Sequence, residues 1–210
     1  MTTLLFVHGW GFDPRVWNKM TPELGGYNHA FVNMGFIGEE SIPDIPDGED
    51  IIAIGHSLGA LWLLNNNPER YKGYISICGF PRFWDSGSRT YTNLMIERLK
   101  SNPGAQMVDF FHNWNLDSMY SLTSMNFPKL IDGLNWLLEW DCRADVQKLD
   151  IPKLVLAARD DFIVPENMTE EVWSNVPNTS MIWTDEGGHM LPLTMPAWCG
   201  THIKPFIEAL

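Results

Sequence analysis

Six short stretches of the chain are almost unbroken in apolar residues: 4–8, 30–34, 51–54, 73–78, 153–158 and 179–183. A strand wet on one face alternates apolar with polar positions, whereas a strand apolar throughout is covered on both faces. Residues 57–66 and 165–172 read as helices between these runs. Such alternation of strand and helix predicts an α/β fold built on a mostly parallel sheet flanked by helices. Near the end of the chain, Ile203, Phe206, Ile207 and Leu210 fall at i, i+3, i+4 and i+7. That spacing predicts a closing helix over 202–210 with one apolar stripe against the sheet.

The segment 80–150 breaks the alternation. Helical patterns at 92–100, 105–114 and 127–140 are punctuated by Pro81, Asn102-Pro103-Gly104 and Pro128, which predicts a helical lid inserted into a core made of 1–79 and 151–210. The last of these helices places Leu130, Leu134, Leu137 and Leu138 on one face, and Trp114, Trp136 and Trp140 add large amphipathic surfaces. Any single tryptophan reads first as core packing. Together, above a reactive side chain, the three would line an apolar substrate pocket. Residues 35–50, rich in Gly, Pro, Asp and Glu, leave scarcely enough chain for a helix, so the core is expected to be trimmed there.

Composition narrows the functional classes. The 210 residues are 45% hydrophobic and 19% charged, the balance of one folded domain with a sizeable insertion. Twenty-six acidic against fourteen basic side chains give a net charge of −12. An average surface of that sign repels nucleic-acid phosphates and anionic lipids, so neither partner is expected. Cys78, Cys142 and Cys199 form no Cys-x-x-Cys pair and read as reduced thiols. Neither metal-ligand spacing nor a dinucleotide fingerprint occurs, so no cofactor is expected. The first residues carry no basic leader, and no apolar run approaches a membrane span, so a cytosolic location is expected.

Chemistry concentrates at three loops. Gly55-His56-Ser57-Leu58-Gly59 follows the run 51–54 and precedes Ala60-Leu61-Trp62-Leu63-Leu64, at a strand-to-helix turn. Glycines on either side of Ser57 permit a tight turn with the hydroxyl at its tip. A serine is a weak nucleophile at neutral pH and needs a base, plus a group that holds the base in the right tautomer. His189 follows Gly187-Gly188 after the last strand, at the sheet edge where parallel α/β folds place their sites. Asp160 and Asp161, both just after the strand 153–158, compete as the orienting acid. The backbone N–H groups of Trp10, in His8-Gly9-Trp10-Gly11, and of Leu58 are candidate oxyanion donors. The side chain of His56 should point away from Ser57 and serve packing or the turn itself. His29, His112 and His202 lack any comparable context.

These motifs resemble the α/β-hydrolase superfamily, which they match in order across nearly the whole chain: residues 4–11, Gly55 to Gly59, Asn67-Pro68-Glu69-Arg70, Asp161-Phe162-Ile163-Val164-Pro165 and Gly188-His189. The resemblance selects Asp161 over Asp160, since the acid of the family pattern stands three residues before Val-Pro. His8-Gly9-Trp10-Gly11 with Val16-Trp17, and the stretch from Gly133-Leu134 to Asp141-Cys142-Arg143, resemble the pimeloyl-[acyl-carrier protein] methyl ester carboxylesterases of biotin synthesis. That likeness implies a serine carboxylesterase acting on a carrier-bound acyl ester. It also implies basic residues on the lid that meet an acidic acyl-carrier protein, here Arg82, Arg89, Arg98 and Lys100 against Asp85 and Glu97. A merely solvated helix face is the alternative for these charges. The chain opens at the strand before the oxyanion loop, without the hairpin many relatives carry, which with the short segment 35–50 fits a reduced esterase. Two further functions stay open: a general short-acyl esterase or thioesterase, and a non-catalytic protein that holds an apolar ligand.

Overall fold

A computed structural model describes residues 2–83, 86–116 and 119–210. Six strands, β1 (Thr2–Val7), β2 (Asn28–Val32), β3 (Asp50–His56), β4 (Tyr71–Ile77), β5 (Lys153–Ala158) and β6 (Thr179–Thr184), form one sheet in the order β2-β1-β3-β4-β5-β6. All five pairings are parallel. The helices are α1 (Leu58–Asn65), α2 (Ser86–Ser101), α3 (Pro103–Asn113), α4 (Phe127–Glu139), α5 (Arg143–Lys148), α6 (Glu166–Trp173), α7 (Leu191–Thr194) and α8 (Pro196–Glu208). This is the α/β-hydrolase architecture, a mainly parallel sheet between helices, with α2 to α4 inserted after β4. Among the described residues no helix is long and apolar enough to cross a membrane.

The central strands β1, β3, β4 and β5 are buried almost end to end. β2 and β6 are edge strands and only partly covered. That explains why β2 lies at 28–32 and not at 30–34. An edge strand tolerates Asn28 and His29, which pair with Thr3 and Leu4, while Asn33 leaves the sheet to bridge Ser41 and Met34 donates its N–H to His8 Nε2. The crossover from β1 to β2 uses two single turns, Pro14–Trp17 and Thr21–Leu24, in place of a helix. Val16, Trp17 and Leu24 from these turns, and Met20 between them, are fully buried. No helix occurs between β2 and β3, as the short segment 35–50 implied.

Helices α2 and α8 each begin well before the expected positions 92 and 202. The first turns of α2 are Ser, Gly, Arg and Thr, which carry no apolar stripe to betray them. α8 starts with proline in its first turn, the position where a missing N–H costs nothing, and buries Cys199, Gly200, Ile203 and Ile207. α5, with Val146 its buried residue, was not foreseen. The two ends of the inserted segment lie side by side, since Cys142 N–H donates to Pro81 O at 2.8 Å.

The contact that sets the site is between α1 and the ends of β1 and β3. A Cβ on Gly59 would stand 2.1 Å from Val7 O, and one on Gly55 would stand 2.4 Å from Ala60 N. Both are backbone atoms of packed elements and have nowhere to go. Gly59→Ala should therefore lower the unfolding free energy by about 3 kcal/mol, the upper end of ordinary overpacking, read as a reduced urea midpoint with unchanged slope.

Candidate active site

Ser57 sits between β3 and α1 with φ 53 and ψ −121, a backbone conformation that L-residues avoid. Its N–H donates to Ile77 O at 3.0 Å, which pins the turn to β4. The hydroxyl is sheltered, with the residue 8% exposed. His189 arrives from the other half of the sheet. It follows β6 through Gly187 and Gly188, both at positive φ, and its Nε2 lies 2.9 Å from Ser57 Oγ. Its Nδ1 lies 2.8 Å from Asp161 Oδ2. The carboxylate can only accept, so Nδ1 carries the proton and Nε2 is left as acceptor for the serine hydroxyl.

Asp161 is 3% exposed. Burial by itself would push its carboxyl up, but His189 and the N–H groups of Val164 and Ile163 outweigh it and hold the pKa below the ordinary carboxylate range. Those N–H groups donate to Oδ1 at 2.9 and 2.8 Å. Asp160 has a separate task. Its Oδ1 and Oδ2 accept the N–H groups of Gly188 and Gly187 at 2.8 and 3.2 Å, so adjacent aspartates hold the histidine ring and the loop beneath it. The neighbouring Arg159 pairs with Glu166 and Asp185.

Leu58 is the first residue of α1, so its N–H has no intrahelical acceptor. Trp10 lies in the turn closed by Phe12 N–H to Gly9 O at 3.4 Å. A Cβ on Gly9 would stand 3.3 Å from Ser57 Cβ, so this loop lies against the serine. The Trp10 ring, unremarked in the sequence, ties the loop to the inserted helices: Nε1 donates to Leu130 O at 2.7 Å, and Phe110 meets the ring edge-on at 4.9 Å.

A cavity of about 450 Å³ opens over Ser57. Phe80, Phe83, Met95, Leu134, Leu137 and Met168 line one part of it, and among the described residues no Asp, Glu, Lys or Arg contributes to its walls. Of the three tryptophans expected to line it, Trp114 does. Its ring tilts over His189 at 5.9 Å and stacks on Phe162 at 5.3 Å. Trp136 and Trp140 instead stack on one another at 5.0 Å, outside the cavity wall. Phe162, named in the sequence only as part of the motif after Asp161, is also a wall of the cavity.

The basic residues expected to meet a carrier protein lie on or beside α2, and none is among the described residues that line the cavity. Arg98 pairs with Asp109 at 2.5 Å and Lys100 with Glu97 at 2.8 Å. Arg89 donates to Leu138 O at 3.1 Å, and Arg82 lies close enough to Asp141 to help lower its pKa, behind the larger effect of Arg143. A count of charges along the sequence does not show which acid meets which base, and Asp109 reaches Arg98 from the adjacent helix α3. Asp85 lies outside the described residues.

Cys78 Sγ, Asp161 and His189 place potential ligand atoms within 4.8 Å of one another. Burial, and then the charge of Asp161, push the Cys78 thiol well above its ordinary pKa. A ligating sulfur must be a thiolate, so this cluster is poorly suited to a metal.

The sequence profile of the alpha/beta hydrolase family matches residues 4–199. The pimeloyl-[acyl-carrier protein] methyl ester esterase of Legionella pneumophila (strain Corby) is 25% identical over 211 residues, covering 89% of this chain and 87% of its own. That of Aromatoleum aromaticum is 24% identical over 247 residues, covering 98% of each chain. Among solved structures, a thermophilic esterase from Thermogutta terrifontis shares the fold with a TM-score of 0.79 at 18% identity, covering 100% of this chain and 90% of its own.

Two buried histidines make the fold sensitive to acid. Burial lowers His8 from 6.5 to about 4 and His56 from 6.5 to about 3. The unfolded chain binds these protons near pH 6.5 and the folded chain refuses them until lower pH. Stability from these groups is therefore complete above pH 6.5 and falls as the pH drops towards about 4 for His8 and about 3 for His56. Each contributes a slope of about 1.4 kcal/mol per pH unit within its window. Urea unfolding at pH 7.0, 5.5 and 4.5 should show the decline, and His8→Asn should flatten it if the variant folds.

Proposed function

This chain belongs to the alpha/beta hydrolase family, and on that premise we propose that it is a serine carboxylesterase whose natural substrate is a carrier-bound acyl methyl ester, pimeloyl-[acyl-carrier protein] methyl ester. The observation that carries the reaction is the unbroken chain Ser57 Oγ, His189 Nε2, His189 Nδ1 and Asp161 Oδ2, with spacings of 2.9 and 2.8 Å. The substrate reading draws on the names of the relatives and on a largely apolar cavity, with no Asp, Glu, Lys or Arg among its described lining residues, that suits a methylene chain. Each methylene buried there contributes about 0.8 kcal/mol.

In this mechanism His189 Nε2 takes the hydroxyl proton as Ser57 Oγ attacks the ester carbonyl carbon. The carbonyl oxygen becomes an oxyanion facing the N–H groups of Trp10 and Leu58, donors of a kind that contribute about 3 kcal/mol each to the barrier reduction. His189 returns the proton to the departing alkoxide, methanol leaves, and the acyl group remains on Ser57. Water then gives a proton to the same nitrogen as it attacks the acyl-enzyme, and the proton passes back to Ser57 as the free carboxylic acid departs. Asp161, held ionised, offsets the charge of the imidazolium in both steps.

A second reading rests on charge. With a net charge of −12, and with Arg98 and Lys100 already in ion pairs, the protein offers an acidic carrier little attraction. That favours a soluble acyl ester or thioester as substrate, on the same three residues.

Ser57→Ala should reduce p-nitrophenyl butyrate hydrolysis by roughly 10⁴-fold or more with an unchanged circular dichroism spectrum; undiminished turnover refutes the reaction. A fluorophosphonate probe should label Ser57, whereas an inert serine in a protein that binds apolar ligands tightly marks a binding protein. Expression in a biotin-requiring strain that lacks its own esterase tests the substrate. Growth without biotin supports the carrier-bound methyl ester, and failure beside good activity on soluble esters supports the second reading.

A further inference from the structure

His56 precedes the nucleophile, is completely buried and takes no part in the proton relay. Its ring nonetheless meets two loops of the site, those of His189 and Gly9. As the last residue of β3 it shares the backbone of the serine turn. Its Nε2 lies 2.8 Å from the carbonyl oxygen of His189, with the two imidazole centroids 5.1 Å apart. Its Nδ1 faces Gly9 so closely that a Cβ there would approach to 2.9 Å.

A carbonyl oxygen only accepts, so Nε2 must carry the proton. Nδ1 has no hydrogen-bond partner among the described residues, and a second proton there would be buried without an acceptor. The ring is thus held neutral, as the Nε2–H tautomer. Packing alone does not account for it. A hydrocarbon side chain of similar size would fill the same volume and leave no unpaired nitrogen; what it would lack is the donor.

We propose that His56 is a positioning residue, whose Nε2–H fixes the main chain of His189 and through it the distance from the imidazole to Ser57 Oγ. The two residues before His189 are glycines at φ 113 and 60, the least restrained backbone available. Asp160 ties those two N–H groups and Asp161 ties the ring. Neither comes from the strand that bears the nucleophile. The bond from His56 does, so it sets the spacing between serine and base directly.

This inference rests on the proposed role of Ser57 and His189. It is tested with His56→Leu, which removes the donor, and His56→Gln, whose amide N–H reaches a similar point. His56→Leu should lower kcat by about 10- to 100-fold, the cost of a small misplacement, with KM within about twofold. His56→Gln should recover most of that loss. A folded His56→Leu with wild-type kcat overturns the proposal, as does equal impairment of both folded variants. On the unaltered protein, 15N NMR of the imidazoles should show His56 neutral and protonated at Nε2 at pH 7, and the Nδ1–H tautomer or a charged ring overturns the proposal without any variant. Ser57→Ala in the same assay separates the two levels. If it retains turnover the reaction itself fails, and if it is inactive while His56→Leu is not, only the positioning role fails.

Discussion

The close approach of α1 to the ends of β1 and β3 is the constraint on which the site depends. With no Cβ at Gly55 or Gly59, the chain can reverse direction over a single residue, and that residue is Ser57 at φ 53. A backbone held there costs on the order of 1–3 kcal/mol. The helix that follows offsets it, since Leu58, Leu61 and Leu63 are fully buried and each such side chain contributes about 1.5–3 kcal/mol. The strain is sustained by packing directly beneath it.

Parallel topology does the next part of the work. Because β3, β5 and β6 run in the same direction, the loops after them open at one edge of the sheet, and residues distant in sequence meet there. β4 stands between β3 and β5 and leaves little room. A Cβ on Gly79, just beyond its end, would stand 2.4 Å from Ala60 Cβ and 2.6 Å from Ser76 Oγ. The base then has to be fixed on a glycine-rich loop. Asp160, Asp161 and His56 hold it at four different atoms, so rigidity absent from the local backbone is supplied by hydrogen bonds from residues at the ends of two strands.

The inserted helices shape what can reach the hydroxyl. They supply part of the apolar wall, among it Met95, Phe110, Leu134 and Leu137, and place Trp114 across His189. Arg98 pairs with Asp109 and Lys100 with Glu97, and among the described residues no Asp, Glu, Lys or Arg lines the cavity. An imidazole–carboxylate pair beneath such a wall is screened little by water, which strengthens its interaction with a developing charge.

Much of this was legible along the chain because it is local. The apolar runs at 51–54 and 153–158 announce buried parallel strands. The glycines at 55 and 59 announce the turn, and the motif order made Ser57, His189 and Asp161 the candidates. Each of those signals lies within a few residues of what it predicts. The sequence was blind wherever the deciding partner is remote. Asp160 looked like a rival acid until the loop at Gly187 and Gly188 was placed beside it. Trp136 and Trp140 read as pocket walls yet stack on each other, and nothing local shows that Asp109 on α3 pairs with Arg98 on α2. Periodicity and spacing determine which elements form and which face they bury. Only the tertiary structure decides which side chains from different elements come within hydrogen-bonding distance, because directional contacts of about 3 Å depend on the packing of the whole chain.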